Sequence, residues 1–168
     1  FPVPQGRVLG GGSSVNGMLY MRGQARDYDD WALEHGCKGW SFNDVLPVFM
    51  RQESNRKFDN EFHGTYGKLV VDGPSAKHPV AERLIEAAVS AGIRHTEDFN
   101  GASQEGAGWY QVTASDGQRQ SAAYCFLRPE LARENLTVLT GHSAERLQIE
   151  NRRAVAVETK DGEGRDVL

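Results

Sequence analysis

The spacing of apolar and polar residues predicts three helices in the first part of the chain. They cover residues 25–36, residues 40–55 and residues 78–92, where apolar side chains recur at the spacing of one helix face. Gly36 and Gly92 follow the last apolar residue of the first and third stretches. Because glycine readily adopts the left-handed backbone that closes a helix, we expect both helices to end there.

Short apolar runs bounded by turn-forming residues predict strands between and after these helices. The last two runs are expected to pair as an antiparallel hairpin through an Asn-Arg turn. A further stretch, residues 121–135, is predicted to be helical with Pro129 as a kink or boundary. Strands and helices mix without regular alternation, which predicts an α/β fold with an irregular α+β portion. The predicted strands are residues 68–72, 109–113, 136–141, 144–150 and 152–162.

Residues 6–23, GRVLGGGSSVNGMLYMRG, are rich in glycine at their start. Ser13 or Ser14 is suited to cap a helix that would reach about Arg22. Glycines ahead of a helix let a ligand approach the backbone, and the helix start offers free N–H groups to an anion or an electron-rich ring. A tight packing turn is the alternative interpretation. A phosphate loop is disfavoured, because the G-x-x-x-x-G-K-[ST] order is missing.

The composition is that of a globular protein of roughly one domain. The 168 residues are 39% hydrophobic and 25% charged, which gives no sign of disorder. The formal net charge is −4 with acids and bases interspersed, which argues against a nucleic-acid partner. No apolar run approaches the ~20 residues that cross a bilayer. The two cysteines fit no metal spacing and suit a reducing, cytoplasmic setting.

The glycine-rich stretch carries a longer pattern that resembles one family. GRVLGGGSSVNGMLYMRGQARDYDDW is similar to the flavin-contacting segment of the glucose–methanol–choline (GMC) oxidoreductases. Later stretches such as FHGTYGKLVV, GQRQSAAYCFLRPEL and ENLTVLTGHSAERL look like choline-dehydrogenase-type members. The resemblance implies a partial FAD/NAD(P)-binding, Rossmann-like domain with part of the GMC substrate domain. The matching positions are Gly6, Arg7, Leu9, Gly10, Gly11, Gly12, Ser13, Val15, Asn16, Tyr20, Gly23 and Asp29.

The resemblance implies FAD as the cofactor and assigns a set of contacts to it. In the family the glycine loop lies against the isoalloxazine ring, and backbone at the Asn-Gly step approaches flavin N5. Glycine at the second position of that step makes physical sense, because a side chain there would crowd the reactive face of the ring. The backbone of one later residue is expected to meet the adenine. The implied contacts are Gly12, Asn16, Gly17, Met18 and Leu19 for the flavin and Ala144 for the adenine.

Each of these assignments has a structural alternative. For Met18 and Leu19 it is ordinary core packing, and for Asn16 it is a hydrogen bond within the local helix. For Ala144 it is a plain strand position.

The residue before the asparagine bears on how FAD is held. Some GMC members attach FAD covalently through a histidine at this position, whereas this chain has Val15, which offers no nucleophile. The resemblance therefore implies non-covalent FAD at this position and leaves alcohol oxidation open.

The five histidines are not assigned a catalytic or metal-binding role. Each lies in a predicted loop or at a helix end without a partner at metal-ligand spacing, so we expect them to be solvated or structural. The acidic pairs Asp29-Asp30 and Glu97-Asp98 are expected to be solvated charges. The histidines are His35, His63, His78, His95 and His142.

The resemblance also implies how the chain divides. About residues 1–60 would carry the flavin-contacting loop and helices, about residues 61–135 mostly substrate-domain elements, and about residues 136–168 strands that return to the FAD-binding domain. The family's first βαβ unit, which binds the ADP pyrophosphate, is expected to precede Phe1. The second family motif and the catalytic histidine are expected to follow Leu168.

These features imply an enzyme that oxidises a primary or secondary alcohol to a carbonyl, with hydride passing to flavin N5. A downstream histidine would take the hydroxyl proton. A cyanohydrin-cleaving lyase on the same scaffold and a non-catalytic nucleotide-binding module are the alternatives. Either oxygen or a respiratory carrier would reoxidise the flavin. The cytoplasm is the expected location, with peripheral membrane attachment of the full-length protein left open.

Overall fold

Two compact units, Phe1–Glu130 and Leu131–Leu168, make up the computed structural model. It describes residues 2–161 and 166–167. The first unit mixes helices with short strands, and the regular elements of the second unit are strands. The predicted mixture of helix and strand is therefore confirmed. None of the helices in the described part of the chain has the length and apolar character that a bilayer crossing needs.

The three helices predicted from apolar spacing are present. They are α1 (Ala25–Leu33), α2 (Phe42–Gln52) and α3 (Pro79–Ser90). Gly36 and Gly92 follow α1 and α3 with φ angles of 67° and 92°. Glycine adopts this left-handed backbone without the steric cost that other residues incur, and Gly92 follows the C-cap residue of α3 directly, so α3 ends where the sequence predicts. α1 ends earlier than predicted, at Leu33, three residues before Gly36.

Side chains at the helix starts explain where α1 and α2 begin. Gln24 and Ser41 are the N-cap residues, and each forms a capping box with an aspartate three positions later. The carboxylate of Asp27 accepts from the Gln24 amide at 2.7 Å, and that of Asp44 accepts from the Ser41 amide at 3.1 Å. These bonds satisfy N–H groups that have no partner within a helix.

The strands of the first unit are short. β1 (Glu53–Asn55) follows α2 directly and pairs in parallel with β2 (Leu69–Val71), which lies within the strand predicted at residues 68–72. β3 (Ala114–Ser115) and β4 (Gln118–Arg119) form a small antiparallel hairpin across an Asp-Gly turn. Both residues of that turn have positive φ, as tight hairpin turns require.

The second unit is built on the predicted hairpin. β5 (Ser143–Glu150) pairs antiparallel with β6 (Arg153–Lys160), and β7 (Asp166–Val167) adds to the other side of β6. The connecting residues Asn151 and Arg152 have φ angles of 49° and 64°. A two-residue turn with positive φ at both positions matches the twist of the flanking strands. The hairpin and its Asn-Arg turn are therefore confirmed.

The helix predicted from Ser13 or Ser14 to about Arg22 is wrong. Only a short 3-10 turn, Gly11–Ser14, forms there. Met18 then has a left-handed backbone with φ of 64°, and its carbonyl accepts from the Thr113 amide at 2.8 Å. The long-range hydrogen bond to Thr113 takes the place of the next helical turn.

The strand predicted at residues 109–113 is also wrong. Val112 forms single bridges to Leu19 on one side and to Asp72 on the other, without a continuous ladder. Leu19 and Asp72 belong to two separate segments, and each forms its bridge with Val112 alone, so residues 109–113 form no regular strand.

Two predicted elements near the end of the first unit are shorter than expected or missing. The helix predicted at residues 121–135 is a π-helical turn, Ala123–Leu127, followed by a 3-10 turn, Arg128–Glu130. The proline within the second turn has no N–H to continue a helix. The strand predicted at residues 136–141 is absent, because the amide of its first residue donates to the Arg133 carbonyl in a local turn.

The interior of the first unit is mainly polar. Three apolar residues, Val71, Phe99 and Cys125, are buried among the described residues. The buried polar and charged residues are more numerous: Arg22, Glu53, Asn55, His63, Thr96, Asn100, Gln111, Ser115, Gln120 and Ser121. Buried polar groups are tolerated when they are hydrogen-bonded, so this interior depends on its hydrogen bonds.

Four charged side chains form the centre of this interior, and we call them the ionic cluster: Arg22, Glu53, His63 and Asp98. Glu53 Oε1 lies 2.9 Å from Arg22 Nη2 and 2.9 Å from His63 Nδ1, and it also accepts from the Gly64 amide at 2.9 Å. The other ring nitrogen, His63 Nε2, lies 2.9 Å from Asp98 Oδ2. Two cations therefore face two carboxylates, and the cluster balances its charge internally.

Amide side chains surround the cluster and join it to the backbone. Asn55 and Gln111 exchange two hydrogen bonds, from Nδ2 to Oε1 at 3.1 Å and from Nε2 to Oδ1 at 2.9 Å. Asn100 Oδ1 accepts from the Arg22 amide at 2.8 Å, and its Nδ2 donates to the Tyr20 carbonyl at 2.9 Å. Segments distant in the sequence thus meet through side-chain amides.

The cluster shifts the pKa of His63, Glu53 and Asp98. Burial by itself lowers the pKa of His63, but hydrogen bonds and charges from Asp98 and Glu53 outweigh burial and raise it to about 9. Burial raises the pKa of Glu53, and hydrogen bonds from His63 and Tyr20 together with the Arg22 charge bring it below its usual range. The imidazole is therefore protonated, and both carboxylates are ionised, at neutral pH.

Two of the acidic residues expected to be solvated have structural partners instead. Asp29 is half-buried and its Oδ1 accepts from the Phe42 amide at 3.0 Å, which ties α1 to the start of α2. Asp98 belongs to the ionic cluster, where hydrogen bonds from His63 and the Asn100 amide outweigh burial and lower its pKa. The sequence interpretation failed because Phe42 lies 13 positions from Asp29, and His63 lies 35 positions from Asp98.

We predict that the intact protein loses stability as the pH rises from about 6.5 to about 9. The folded protein binds the His63 proton more tightly than the unfolded chain, so this contribution is complete below pH 6.5 and disappears as the pH rises through about 9. The loss is at most about 3 kcal/mol in the free energy of unfolding. Denaturant titrations at several pH values measure it.

A His63→Gln variant is expected to be less stable at pH 6.5 and to lose most of this pH dependence. His35→Gln is the matched control, because His35 is exposed. An unchanged slope in the His63 variant, or a lost slope in the His35 variant, contradicts the assignment.

Candidate functional site

Two glycines of the stretch at residues 6–23, which we call the glycine segment, are required by packing. A Cβ at Gly6 would collide with the Gly11 carbonyl. Gly10 has φ of 90°, and a Cβ there would lie 3.1 Å from the Ala123 Cβ. The packing-turn interpretation is therefore correct for this first part of the segment.

Two other glycines face open space. A Cβ at Gly12 or at Gly17 would have no heavy atom within 4 Å. The amide groups of both residues also lack a hydrogen-bond partner within the described part of the chain. The neighbouring side chains of Val15 and Leu19 are 54% and 60% exposed. Bare backbone with free N–H groups, flanked by exposed apolar side chains, is suited to contact a flat polar ring.

The backbone around Gly17 is nonetheless held firmly. Asn16 Oδ1 accepts from the Met18 amide at 3.1 Å. The Met18 carbonyl accepts from the Thr113 amide at 2.8 Å and from its hydroxyl at 3.3 Å. Met18 has φ of 64°, which is uncommon for a residue with a side chain and needs such support. The open face is therefore a fixed surface.

Arg119 on β4 supports the same stretch from a distant part of the chain. Its Nη1 donates to the Asn16 carbonyl at 2.8 Å and to Asn16 Oδ1 at 2.9 Å, and it lies 3.3 Å from the Ser13 carbonyl. Nearby, the Ala122 amide donates to Ser13 Oγ at 2.9 Å. The segment that contains β4 thus holds the middle of the glycine segment, at Ser13 and Asn16, through both side-chain and backbone donors.

The end of the glycine segment leads into the ionic cluster. Leu19 forms a bridge with Val112, and the Tyr20 amide donates to the Gln111 carbonyl at 2.9 Å. Two residues later Arg22 is buried against Glu53. Burial raises the pKa of the Tyr20 hydroxyl well above its usual range, so this group stays neutral.

A cavity of about 660 Å³ adjoins the glycine segment at Met18. Its lining is partly polar and includes Asp72, Ser115 and Arg119. The cavity offers room for part of a ligand next to the fixed backbone. Within the described residues no group of histidine, cysteine and acidic side chains is arranged to hold a metal ion.

A family model for GMC oxidoreductases matches residues 1–167. The chain belongs to the GMC oxidoreductase family. The resemblance inferred from the glycine segment is therefore confirmed along nearly the whole chain.

Curated relatives of this GMC chain include two oxygen-dependent choline dehydrogenases. That of Brucella anthropi is 43% identical over 159 residues, and that of Rhizobium etli is 42% identical over 165 residues. The matches cover 95% and 98% of this chain but 29% and 30% of those relatives. The chain thus spans less than a third of the length of these curated relatives.

Solved structures of other proteins share the fold. Pyridoxine 4-oxidase from Mesorbium loti has a TM-score of 0.88 and 32% identity, over 98% of this chain and 33% of that one. An FAD-dependent oxidoreductase from Chaetomium thermophilum has a TM-score of 0.88 and 26% identity, over 98% of this chain and 31% of that one. The predicted GMC fold class is confirmed.

Five of the site residues predicted for this GMC chain lie in the glycine segment, and the sixth, Ala144, lies in the second unit. Gly12, Asn16, Gly17 and Leu19 are exposed and Met18 is half-buried, all within the glycine segment. Core packing stays the alternative interpretation for Met18 and Leu19. The local hydrogen bond considered for Asn16 exists, although in a tight turn rather than a helix. Contact with FAD stays a prediction for all of them.

Ala144 lies in the second unit of the GMC chain. It is an exposed position on β5 opposite Thr159 of β6. It occupies the strand that the alternative interpretation expected, and its backbone contact with adenine stays a prediction. The division into flavin-contacting and substrate-domain segments also stays a prediction.

Two of the histidines have structural contacts, and the absence of a catalytic role stays a prediction for all five. His63 is buried with both ring nitrogens engaged, and His78 accepts from the Val80 amide at the start of α3. The residues that sequence reasoning missed are Arg119 and Thr113, which hold the glycine segment. No local pattern marks them, because their partners lie about a hundred positions away in the chain.

Proposed function

We propose that this chain forms part of the flavin pocket of an enzyme that uses FAD to oxidise an alcohol to a carbonyl. Support comes from membership of the GMC oxidoreductases and from relatives named for choline and pyridoxine, which are both small alcohols. The observation that carries the proposal is the open, rigid backbone at Gly12 and Gly17 with its free N–H groups.

The geometry of the glycine segment fits the isoalloxazine ring of FAD. Ring nitrogens and carbonyls accept hydrogen bonds, and the Gly17 amide is a free donor on a surface with no obstructing Cβ. Exposed Val15 and Leu19 would cover part of the ring's apolar surface. Asn16 and Met18 would hold this backbone in position, and the Ala144 backbone would meet the adenine.

FAD when bound supplies the electron acceptor that takes hydride from the alcohol carbon. The described residues would bind and orient it. The base that removes the hydroxyl proton is expected outside this chain, and no catalytic residue is assigned here. Oxygen and a respiratory carrier both remain candidates for reoxidation of the flavin.

We expect the intact protein to be yellow and its flavin to lose visible absorption when an alcohol substrate is added without oxygen. Choline and pyridoxine are the first substrates to try, followed by a panel of primary and secondary alcohols. A bound flavin that no alcohol reduces, together with cyanohydrin cleavage, would favour the lyase alternative. Absence of any bound flavin would favour the nucleotide-binding module and contradict the proposal.

We expect all flavin to leave the protein on denaturation. Val15 occupies the position from which some family members attach FAD, and its isopropyl side chain cannot form that bond. Acid precipitation followed by fluorescence of the supernatant measures the released fraction. Fluorescence that migrates with the denatured polypeptide on a gel would reveal a covalent attachment at another residue.

Gly17→Val is expected to weaken FAD binding by about ten- to a hundredfold without destabilising the flavin-free protein. A Cβ at Gly17 meets no heavy atom within 4 Å, but the valine would overpack against a bound ring, at a cost of about 1–3 kcal/mol. Flavin fluorescence titration and denaturant unfolding measure the two effects.

Gly6→Ala is the contrasting variant, because its Cβ collides with the Gly11 carbonyl. It should lower the free energy of unfolding even without FAD. Wild-type FAD affinity in the Gly17 variant would show that the ring lies elsewhere.

A further inference from the structure

We propose that Arg119 is a positioning residue that fixes the orientation of the Asn16-Gly17 peptide, so that the Gly17 N–H points outward to the ligand. The role of that ligand as a flavin rests on the function proposed above. The orientation of the peptide rests on hydrogen bonds within this chain.

The argument begins with the geometry of a peptide group. In a trans peptide the carbonyl and the N–H point in opposite directions, and the described chain has no cis peptide. Arg119 Nη1 donates to the Asn16 carbonyl at 2.8 Å. The Gly17 N–H on the same peptide must therefore point away from the guanidinium. That direction agrees with the open surroundings of Gly17 and its unpartnered amide.

The two following peptides are fixed by other groups. The Met18 amide is held by Asn16 Oδ1, and the Met18 carbonyl is held by Thr113. The Asn16 carbonyl accepts from Arg119 Nη1. Glycine accepts backbone angles that other residues avoid, so a peptide that ends at Gly17 can turn over easily once that bond is lost. A turned peptide would present a carbonyl to the ligand where a donor is required.

Arginine suits this task better than lysine would. One guanidinium nitrogen reaches both the main-chain carbonyl and the side-chain oxygen of Asn16, within a planar group whose orientation is fixed. Arg119 is half-buried on β4, which is anchored to β3 by the Asp-Gly turn. A lysine ammonium is a single point of charge and would restore only part of this geometry.

Hydrogen exchange in the flavin-free intact protein tests the positioning directly. In Arg119→Met the Met18 amide is expected to exchange about tenfold faster, because Asn16 loses the partner that orients its side chain. The Tyr20 amide, bonded to the Gln111 carbonyl, should keep its wild-type rate. Equal acceleration at Met18 and Tyr20 would indicate general loosening and overturn the proposal, as would an unchanged rate at Met18.

Flavin binding provides the second measurement. Arg119→Met is expected to bind FAD about ten- to a hundredfold more weakly, the effect of losing a charge-assisted hydrogen bond. The absorption spectrum of the fraction that still binds should shift toward that of free FAD, because the Gly17 donor is no longer aligned. Arg119→Lys should recover part of the affinity and part of the spectrum.

Arg56→Met is the matched control. Arg56 pairs with Asp116 at the turn of the same hairpin, at 3.4 Å, and both side chains are exposed. Such pairs contribute little, so FAD affinity should stay within about twofold of wild type. A loss equal to that of Arg119→Met would mean that the hairpin as a whole matters rather than the Arg119 contact, and would overturn the proposal.

Failure of the two proposals can be told apart. If the wild-type protein binds no FAD, the proposed function fails, and the exchange measurement alone decides the role of Arg119. If FAD binds and reacts normally in Arg119→Met with an unchanged spectrum, the positioning role fails while the proposed function stands.

Discussion

The rest of the first unit depends on Glu53 Oε1, which contacts Arg22, His63 and the Gly64 amide. Removing a charged group from water is costly unless it is paired, and each charge of the ionic cluster has a partner of opposite sign. The loss of one member would leave an unpaired charge in a buried place. Because of this constraint we assign the cluster a structural role: it connects β1, which follows α2 directly, to three loops.

The open face of the glycine segment depends in part on the ionic cluster. On one side of Gly17 the backbone is fixed where Arg22 enters the cluster, and on the other side where Ser13 accepts from the Ala122 amide, which follows β4. Between these anchors the chain has no need to bury Gly17 for its own stability. A surface that binds a ligand without rearranging is preorganised when the backbone on both sides is hydrogen-bonded and the backbone between stays accessible.

Few apolar side chains are buried within the described residues, and many larger ones, such as Leu33 at 83% and Leu84 at 71%, are exposed. Hydrogen-bonded networks are directional, so they specify a single arrangement of backbone groups more sharply than apolar contacts do. That property matters at the Asn16-Gly17 step, where the proposed ligand contact is a single N–H with one direction.

The sequence by itself determined the elements whose causes are local and the family to which the chain belongs. The three helices, the glycine stop of α3 and the Asn-Arg hairpin are set by neighbours a few positions away, and the predictions for them are confirmed. The helix predicted after Ser13 failed because Thr113 and Arg119, distant in the chain, offered its backbone better partners. Only the tertiary structure could bring Arg119 to Asn16 across 103 positions, or Asp98 to His63 across 35. Such hydrogen bonds form only when the chain folds, so the spacing of residue types along the sequence does not predict them.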